Sequence, residues 1–470
     1  MANGKTTLGL VVGNRGFFPD HLVESGRKQV LEVLEKAGIK VVCLSTSDTK
    51  LGAVETREEA EKCGRLFREH TDEIQGVLVT LPNFGDERAV AQTMRVSKLD
   101  VPVLVHAFPD EKGKMGLVDR RDSFCGKMSA CNCLTQYGIR YSLTDSHTVD
   151  PGSDEFLAEL EQFAAVSRVV SGLRGATIGA IGTRPPAFDT VRCSEKILEA
   201  SGISLEPVDL SEILFAVHAL KDDDDRVKAR VDAVKAYFAV CDAPIEAVTK
   251  IAKLSVVVDE WCDQVNADAI AFQCWTSIQQ NLGVCSCASM SMMSDKLRSA
   301  ACEVDVMGAI AMHSLALASN TPSAVLDWNN NFGDEPDKCV MFHCSNLPKS
   351  VLPNPTLSTQ DILAATVGRE NSWGTCVGRV QTGPMTYARL STDDLEGEIV
   401  GYVGEGEFTD DSLETFGGYG VAKVPNLQDL LRFICRMGFE HHVAISMSRV
   451  AAAVHEAWSN YLGWGIYHHD

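Results

Sequence analysis

Short apolar runs alternate with amphipathic helical patterns throughout the first third of this 470-residue chain. Apolar runs that predict buried strands occupy residues 7–12, 40–44, 76–81 and 101–106, and helical patterns occupy residues 21–37, 57–71 and 87–97. This order predicts a parallel sheet covered by helices, because parallel strands need a crossover connection between them. In sheets of this kind, ligands bind at the carboxyl ends of the strands.

A second alternating unit follows a predicted boundary between Asp150 and Gly175. Strands are predicted at 176–181, 204–208 and 269–274, and helices at 153–171, 191–200, 211–219 and 226–263. After Pro348 the alternation is lost, and short β-like runs at 374–381, 386–389 and 398–404 predict an antiparallel sheet or barrel. Helices at 427–437 and 450–461 complete the predicted C-terminal region.

The charge of the chain limits its classes of partner. A net charge of −21 disfavours nucleic acids and anionic membrane surfaces, since both bind concentrated Lys and Arg. The sequence has no apolar window of membrane-spanning length and no signal-peptide layout at its start, so we expect a cytoplasmic protein. Its 16 cysteines are scattered through apolar segments, which predicts reduced and mostly buried thiols.

Acidic residues and histidines stand beside apolar segments in the region 301–344. Glu303 precedes a helical pattern, Asp327 closes a short apolar run, and His343 closes another. With the late pair His441–His442, they could form an oxygen and nitrogen donor set suited to Mn²⁺ or a similar divalent ion. Each also has a structural interpretation, with Glu303 as a carboxylate at a helix N-terminus, Asp327 as a turn former and His343 as a core histidine.

Glycine-rich and polar loops follow three predicted strands of the first unit, at 13–19, 82–86 and 106–109. Arg15, in the first loop, can bind hydroxyls or an anion, although an ordinary glycine turn with a surface arginine explains the same residues. The loop is not a dinucleotide fingerprint, because Gly13 and Gly16 lack the required glycine spacing. This absence argues against an NAD-linked dehydrogenase.

Basic residues are also concentrated in the segment that follows these loops. Arg120, Arg121 and Lys127 lie within eight residues of one another in a segment dense in charge and glycine. They could hold the anion of a substrate or a neighbouring subunit, and a solvated salt-bridge cluster is an equal alternative.

Six short motifs follow one another along the chain: Gly13-x-Arg15-Gly16-Phe-Phe-Pro19, Gln273-Cys274-Trp275, Cys302-Glu303-x-Asp305, Leu326-Asp327-Trp328, His343-Cys344 and Gly438-Phe439-Glu440-His441-His442-Val443. Their order resembles that of the L-fucose and L-arabinose isomerase superfamily, and the resemblance covers essentially the whole chain. It implies an α/β fold with two Rossmann-like domains that contain parallel sheets, at 1–170 and 171–350. A C-terminal, mainly antiparallel and barrel-like β domain would follow at 351–470.

The resemblance also implies an activity, the interconversion of an aldose and a ketose through an enediolate intermediate. Glu303 and Asp327 match the two acidic metal ligands of the family, and His442 matches its C-terminal histidine ligand. His343 matches a ligand of the arabinose isomerases, so the chain combines features of two branches. The implied cation is Mn²⁺, or Co²⁺ or Mg²⁺, which stabilises the charge of the enediolate, while the two carboxylates transfer the proton as base and acid.

Substrate contacts are expected from Arg15, Gln273, Trp275 and His441. L-Fucose or a similar 6-modified hexose is the first expected substrate, and a pentose such as L-arabinose is an alternative. The basic residues in the loops, with Arg184, also suggest an anionic hexose, for example a sulfonated one.

Family members form homo-oligomers, so a trimer or hexamer with active sites at subunit interfaces is implied. A non-catalytic sugar-binding protein is the alternative from another class. The set of carboxylates and histidines argues against it, since a binding module has no need of a metal with an acid and a base beside it.

Overall fold

The computed structural model describes residues 6–470, and these residues form two compact units. One unit runs to Ser171 and includes the later segment Glu456–Gly463, and the other comprises Gly172–His455 with Trp464–Asp470. The three predicted domains, 1–170, 171–350 and 351–470, stay predictions.

The first unit contains a parallel sheet. Its elements in chain order are β1 (Thr7–Val12), α1 (Asp20–Lys36), β2 (Lys40–Val42), α2 (Arg57–Glu69), β3 (Gly76–Leu81), α3 (Glu87–Ser97), β4 (Val103–Ala107), α4 (Ser123–Gln136), β5 (Ser142–Leu143) and α5 (Asp154–Leu173). The strand order is β2-β1-β3-β4-β5, with parallel pairing throughout. Strands β1 and β3 are buried along their whole length, as expected for apolar runs between two layers of helices. The predicted parallel α/β unit is confirmed.

The second unit begins with another parallel sheet. The elements of this part of the unit are β6 (Thr177–Ile181), α6 (Glu195–Ala200), β7 (Ser204–Val208), α7 (Leu210–Ala219), α8 (Asp225–Tyr237), β8 (Val240–Cys241), α9 (Ile245–Gln264), β9 (Ala269–Phe272), α10 (Ser277–Leu282), α11 (Cys287–Ser294), β10 (Ala300–Cys302) and α12 (Val306–Ser319). Strand β8 belongs to the large sheet described below. Strands β10-β9-β6-β7 form the sheet, again with parallel pairing.

The long helix predicted at 226–263 is wrong in its continuity. The segment forms two helices, α8 and α9, with the short strand β8 between them. Pro244 stands immediately before α9, and proline cannot donate the backbone hydrogen bond that a continuous helix requires. The helix predicted at 191–200 also begins later, at Glu195, because residues Asp189–Val191 form a separate 3-10 turn.

A large, mostly antiparallel sheet forms the rest of the second unit. Its elements are β11 (Ser323–Asn331), β12 (Lys338–His343), β13 (Thr356–Thr359), α13 (Asp361–Val367), β14 (Trp373–Arg379), β15 (Gly383–Asp393), β16 (Glu398–Phe408), β17 (Gly418–Lys423), α14 (Leu427–Met437), β18 (His442–Ser446), α15 (Ala451–Glu456) and β19 (Gly465–His469). The strand order is β19-β16-β15-β18-β11-β12-β17-β14-β13-β8. Strand β16 also pairs with β17, which closes the six strands from β16 to β17 into an antiparallel barrel. The expected barrel-like C-terminal sheet is confirmed.

The end of the chain differs from the sequence prediction. The helix predicted at 450–461 stops at Glu456, and residues Ala457–Tyr461 form a wider π turn. Strand β19, which was not predicted, pairs in parallel with β16 at the edge of the large sheet. Among the described residues, no helix is long and apolar enough to cross a membrane.

Helix α12 explains how the second unit is held together. It is buried along almost its whole length, and it contacts β9 of the parallel sheet as well as β15 and β18 of the barrel. Its sequence is apolar on every side for this reason, rather than amphipathic. The N-terminal end of α12 therefore lies where the parallel sheet and the barrel meet.

Candidate active site

Glu303 lies in the tight connection between β10 and α12. Glu303 and Val304 both adopt left-handed backbone angles, with φ of 54° and 57°. A β-branched residue rarely adopts this conformation, and such strain concentrates at functional sites. Helix α12 begins at Val306 and Asp305 caps it, so Glu303 precedes the helix by three residues.

Asp327 and His442 face each other across two antiparallel strands. In the register of β11 and β18, Asp327 is paired directly with His442. From the sequence we expected Asp327 to stand at the end of an apolar strand, and the pair His441–His442 to form a turn after the helix at 427–437. Both positions are wrong, because β11 continues through a polar half to Asn331 and β18 begins at His442. Directly opposed residues of a sheet bring their side chains together, so strand register creates this part of the site.

The carboxylates of Glu303 and Asp327 both approach Nε2 of His442. Nε2 of His442 lies 3.6 Å from Oε2 of Glu303 and 3.6 Å from Oδ1 of Asp327. Both oxygens are buried, and neither has a hydrogen-bond partner among residues 6–470. A buried carboxylate oxygen without a partner is costly, so these two atoms need a ligand that the protein does not provide.

A buried ion cluster orients His442. Nδ1 of His442 donates to Oδ2 of Asp305 over 2.8 Å, so Nε2 is the ring nitrogen that faces Glu303 and Asp327. The Arg389 guanidinium donates to both Asp305 oxygens, over 2.5 and 3.1 Å, and to Glu440 over 3.0 Å. No role was predicted for Asp305, Arg389 or Glu440, although Asp305 and Glu440 belong to two of the six motifs.

The electrostatics of the site favour a cation. Burial alone would lower the pKa of His442, but its bond to Asp305 and the charges of the carboxylates raise the pKa above its ordinary value. Burial would raise the pKa of Glu303, but the positive charges of His343 and His442 lower it. The carboxylates thus stabilise positive charge between them.

His343 is a second histidine close to the carboxylate of Glu303. It ends β12, is buried, and places Nε2 3.8 Å from Oε2 of Glu303. The same nitrogen lies closer, 3.2 Å, to Sγ of Cys302, and Nδ1 lies 3.5 Å from Sγ of Cys344. His343 is therefore within reach of the carboxylate, but its shorter contacts are with thiols.

Trp275, His441 and Gln273, which were predicted to hold substrate, differ in how they contact the site. The Trp275 indole donates to Oε1 of Glu303 over 3.0 Å, so it holds the carboxylate as well as offering a ring. The His441 side chain is 45% exposed and lies 3.9 Å from Oδ1 of Asp327. Gln273 accepts from the backbone N–H of Thr183 over 3.0 Å, which ties the loop after β6 to the end of β9.

Phe188, in the loop after β6, is a site residue that the sequence analysis missed. Its ring lies 5.3 Å from the His442 ring, 5.4 Å from His441 and 6.2 Å from Trp275, measured between centroids. The sequence signal that could have indicated this loop is the motif Gly182-Thr183-Arg184-Pro185-Pro186, which begins the loop. Phe188 forms an apolar wall beside the histidines.

The predicted basic residues of the first unit all have partners within that unit. Arg15 donates to the Gly85 carbonyl over 2.8 Å and pairs with Glu87. Arg120 pairs with a neighbouring aspartate over 2.5 Å, and Arg121 donates to a backbone carbonyl over 2.7 Å. The Lys127 ammonium is buried, donating to a threonine hydroxyl over 2.7 Å and to a carbonyl over 3.0 Å. In the second unit, Arg184 of the Phe188 loop pairs with Asp189 over 2.7 Å.

A divalent cation fits the donors at the centre of the site. Two carboxylate oxygens without hydrogen-bond partners among the described residues face an imidazole nitrogen whose tautomer is fixed from behind. A carboxylate behind a ligating histidine is the usual support of a protein metal site. The oxygen and imidazole donors suit Mn²⁺ or a related ion, whereas the thiols beside His343 suit softer metals.

Comparisons with known proteins identify the family of the chain. The family model described as "Fucose/sulfoquinovose isomerase, N-terminal domain" matches residues 9–174, and the one described as "L-fucose isomerase, C-terminal domain" matches residues 341–469. The sulfoquinovose isomerases of Priestia aryabhattai and Priestia megaterium are each 25% identical to the chain over 382 residues, covering 80% of it and 81% of the relative. That of Alkalicoccus urumqiensis is 24% identical over 257 residues, or 53% of this chain and 55% of its own. The chain therefore belongs to the fucose isomerase-like family and is a sugar isomerase that interconverts aldoses and ketoses.

Proposed function

We propose that this isomerase acts on a hexose that carries an anionic group at C6, with a sulfonated hexose such as sulfoquinovose as the first candidate. The proposal combines the family with the names of three relatives, each of them a sulfoquinovose isomerase. The observation that carries the chemistry is the pair of buried carboxylate oxygens, without hydrogen-bond partners in the described chain, beside His442 Nε2.

Glu303, Asp327 and His442 are the proposed metal ligands, and His343 is a fourth candidate. Mn²⁺ is the first candidate ion, with Co²⁺ and Mg²⁺ as alternatives. When bound, such an ion stabilises negative charge on the adjacent oxygens of the sugar and fixes their geometry.

Glu303 and Asp327 also transfer the proton in this proposal. The reaction moves one proton between C1 and C2 of the sugar and another between their oxygens, so it needs a base and an acid. Two side chains next to one histidine supply these groups. The Asp327 side chain is 19% exposed and that of Glu303 is 7% exposed, so Asp327 is the more accessible to a substrate.

The surrounding rings shape the space for the sugar. Trp275 keeps Glu303 oriented through its indole N–H, and the apolar edge of Phe188 lies beside the histidines. His441, the most exposed side chain of the group, is suited to bind a sugar hydroxyl. Gln273 helps to hold the Phe188 loop, since its amide oxygen binds Thr183.

In the proposed assembly, Arg15 and the other basic residues of the first unit contribute to the active site of a neighbouring subunit. A trimer or hexamer with active sites at subunit interfaces, in the cytoplasm, stays our proposal. Sedimentation analysis of the purified chain measures its oligomeric state, and a monomer that is fully active would contradict the shared active site.

A substrate panel tests the proposed function. Purified protein is stripped with a chelator, reloaded with Mn²⁺ and incubated with sulfoquinovose, L-fucose and L-arabinose while the ketose product is measured. We expect ketose from sulfoquinovose at the highest kcat/KM and no turnover by Glu303→Gln. Preference for L-fucose or L-arabinose would overturn the anionic substrate, and no ketose from any of these sugars would overturn the proposed activity.

A further inference from the structure

Thiol groups line the buried side of Glu303. Cys302 is the last residue of β10, and Cys274 follows the neighbouring parallel strand β9, so both side chains reach the same carboxyl edge of the sheet. Both residues are buried, and the Cys274 thiol donates to Oε1 of Glu303 over 3.3 Å. The proposed isomerisation uses neither thiol.

These thiols lie near other groups that bind metals. Sγ of Cys274, Sγ of Cys302 and an oxygen of Glu303 lie within 4.8 Å of one another. Nε2 of His343 lies 3.2 Å from Sγ of Cys302. In a tetrahedral zinc site, bond lengths of about 2.0–2.3 Å place neighbouring donors about 3.3–3.8 Å apart. Small side-chain shifts would therefore bring these donors to the spacing of one cation.

The two oxygens of Glu303 divide the donors into two sets. Oε1 accepts hydrogen bonds from Cys274 and Trp275, whereas Oε2 faces His442. His343 is closer to the thiol of Cys302, at 3.2 Å, than to Oε2 of Glu303, at 3.8 Å. A soft set of donors, rich in sulfur, thus lies behind the hard set described above.

We propose that Cys274, Cys302, Glu303 and His343 bind a thiophilic divalent cation, Zn²⁺ or Cd²⁺, at a site distinct from the donors on β11 and β18. When this site is filled, His343 is a ligand of the thiophilic cation and not of Mn²⁺. Sulfur ligands select such ions over Mn²⁺ and Mg²⁺, which prefer oxygen. Because the two sites share Glu303, a cation at the thiol site inhibits the isomerase. This inhibition, unlike the binding itself, rests on the proposed role of Glu303.

Cadmium binding to the Mn²⁺-loaded protein tests the site without any substrate. The full chain is titrated with Cd²⁺ while the ultraviolet thiolate-to-cadmium absorption band is recorded, and bound Cd²⁺ and Mn²⁺ are counted by mass spectrometry. We expect the protein to gain Cd²⁺ with this band while it retains Mn²⁺. The Cys274→Ala/Cys302→Ala variant should lose the band and bind Cd²⁺ at least about tenfold more weakly.

A matched variant controls for the loss of two thiols. Cys262→Ala/Cys339→Ala removes two buried thiols from α9 and β12 of the same unit, and it should bind Cd²⁺ as the wild type does. Thermal unfolding checks that each variant is folded, and Cys302→Ser replaces the double variant if the latter does not fold. An unchanged band in the cluster variants, or loss of one Mn²⁺ for each Cd²⁺ bound, would overturn the separate thiol site. Because none of these measurements uses turnover, they stand even if the proposed substrate is wrong.

Discussion

Asp305→Asn tests whether the orientation of His442 matters for metal binding, because Asp305 holds His442 but is not itself a proposed metal ligand. Asp305 accepts from His442 Nδ1 over 2.8 Å, from Arg389 over 2.5 and 3.1 Å, and from the Gly308 N–H over 2.8 Å at the start of α12. Asparagine has the same shape and also caps helices well, so the substitution removes the negative charge and one of the two acceptor oxygens while it keeps the volume of the side chain. It leaves every proposed metal ligand in place.

The expected losses follow from the buried contacts. Asp305, Arg389 and Glu440 are all buried, and removal of one partner from a buried ion pair costs about 3–5 kcal/mol. Arg389 keeps Glu440, so we expect the lower end, about 3 kcal/mol of unfolding free energy. Loss of the carboxylate behind a ligating histidine lowers metal affinity about 10–100-fold.

Glu440→Gln is the matched control. It also leaves Arg389 with a single carboxylate, but it does not touch the bond from Asp305 to His442. Urea unfolding should show similar destabilisation of both variants, whereas titration with Mn²⁺, followed by electron paramagnetic resonance, should show weaker binding only in Asp305→Asn. Equal loss of Mn²⁺ affinity in the two variants would refute the positioning role of Asp305.

Three further predictions test the walls of the site and the first unit. Phe188→Ala should raise KM about fivefold, as expected for about 1 kcal/mol of lost ring contact, while Phe188→Leu keeps most of the apolar wall; an unchanged KM in both would exclude a substrate contact. Trp275→Phe removes the N–H that holds Glu303 and should lower kcat about tenfold. The control Trp328→Phe loses a similar 3.0 Å hydrogen bond, to the hydroxyl of Tyr402, and should keep kcat. Equal effects on kcat would refute the role of Trp275 in holding Glu303. Burial of His106 lowers its pKa to about 4, so the unfolded chain gains its proton first as the pH falls below about 6.5, and stability should drop by about 2 kcal/mol between pH 7.5 and 5. This drop, measured by urea unfolding, should be smaller in His106→Gln, and an equal drop would contradict the shift.

Local patterns in the sequence were sufficient for much of the fold. The apolar runs at 7–12 and 76–81 are strands with those same bounds, because a strand buried on both faces has a continuous apolar sequence. The helix at 427–437 also has its predicted bounds, with glycine at its C-terminal end. Glu303, Asp327 and His442, chosen from the motifs, lie together in the structure.

Long-range pairing accounts for most of what sequence patterns missed. Arg389 is 84 residues from Asp305 and 51 from Glu440, and no local signal marks three charges that meet only in the folded chain. The pairing of β16 with β17 depends on barrel closure, and the position of Asp327 opposite His442 depends on strand register. Hydrophobic periodicity specifies the face of a strand, but it does not specify which distant strand lies beside it.

The two acids of the motif Cys302-Glu303-x-Asp305 have different chemistry because their oxygens have different partners. Both oxygens of Asp305 accept two hydrogen bonds each, from Arg389, His442 and Gly308, and the pKa of this carboxyl lies far below its ordinary value despite burial. A fully satisfied carboxylate of this kind neither takes up a proton near neutral pH nor has a free lone pair for a ligand. Glu303 keeps one oxygen without a hydrogen-bond partner in the described chain, so it retains the capacity to bind a cation or to exchange a proton. Burial is almost equal for the two residues, so the difference in hydrogen bonding is what supports the proposed roles, Glu303 as the reacting acid and Asp305 as the positioning one.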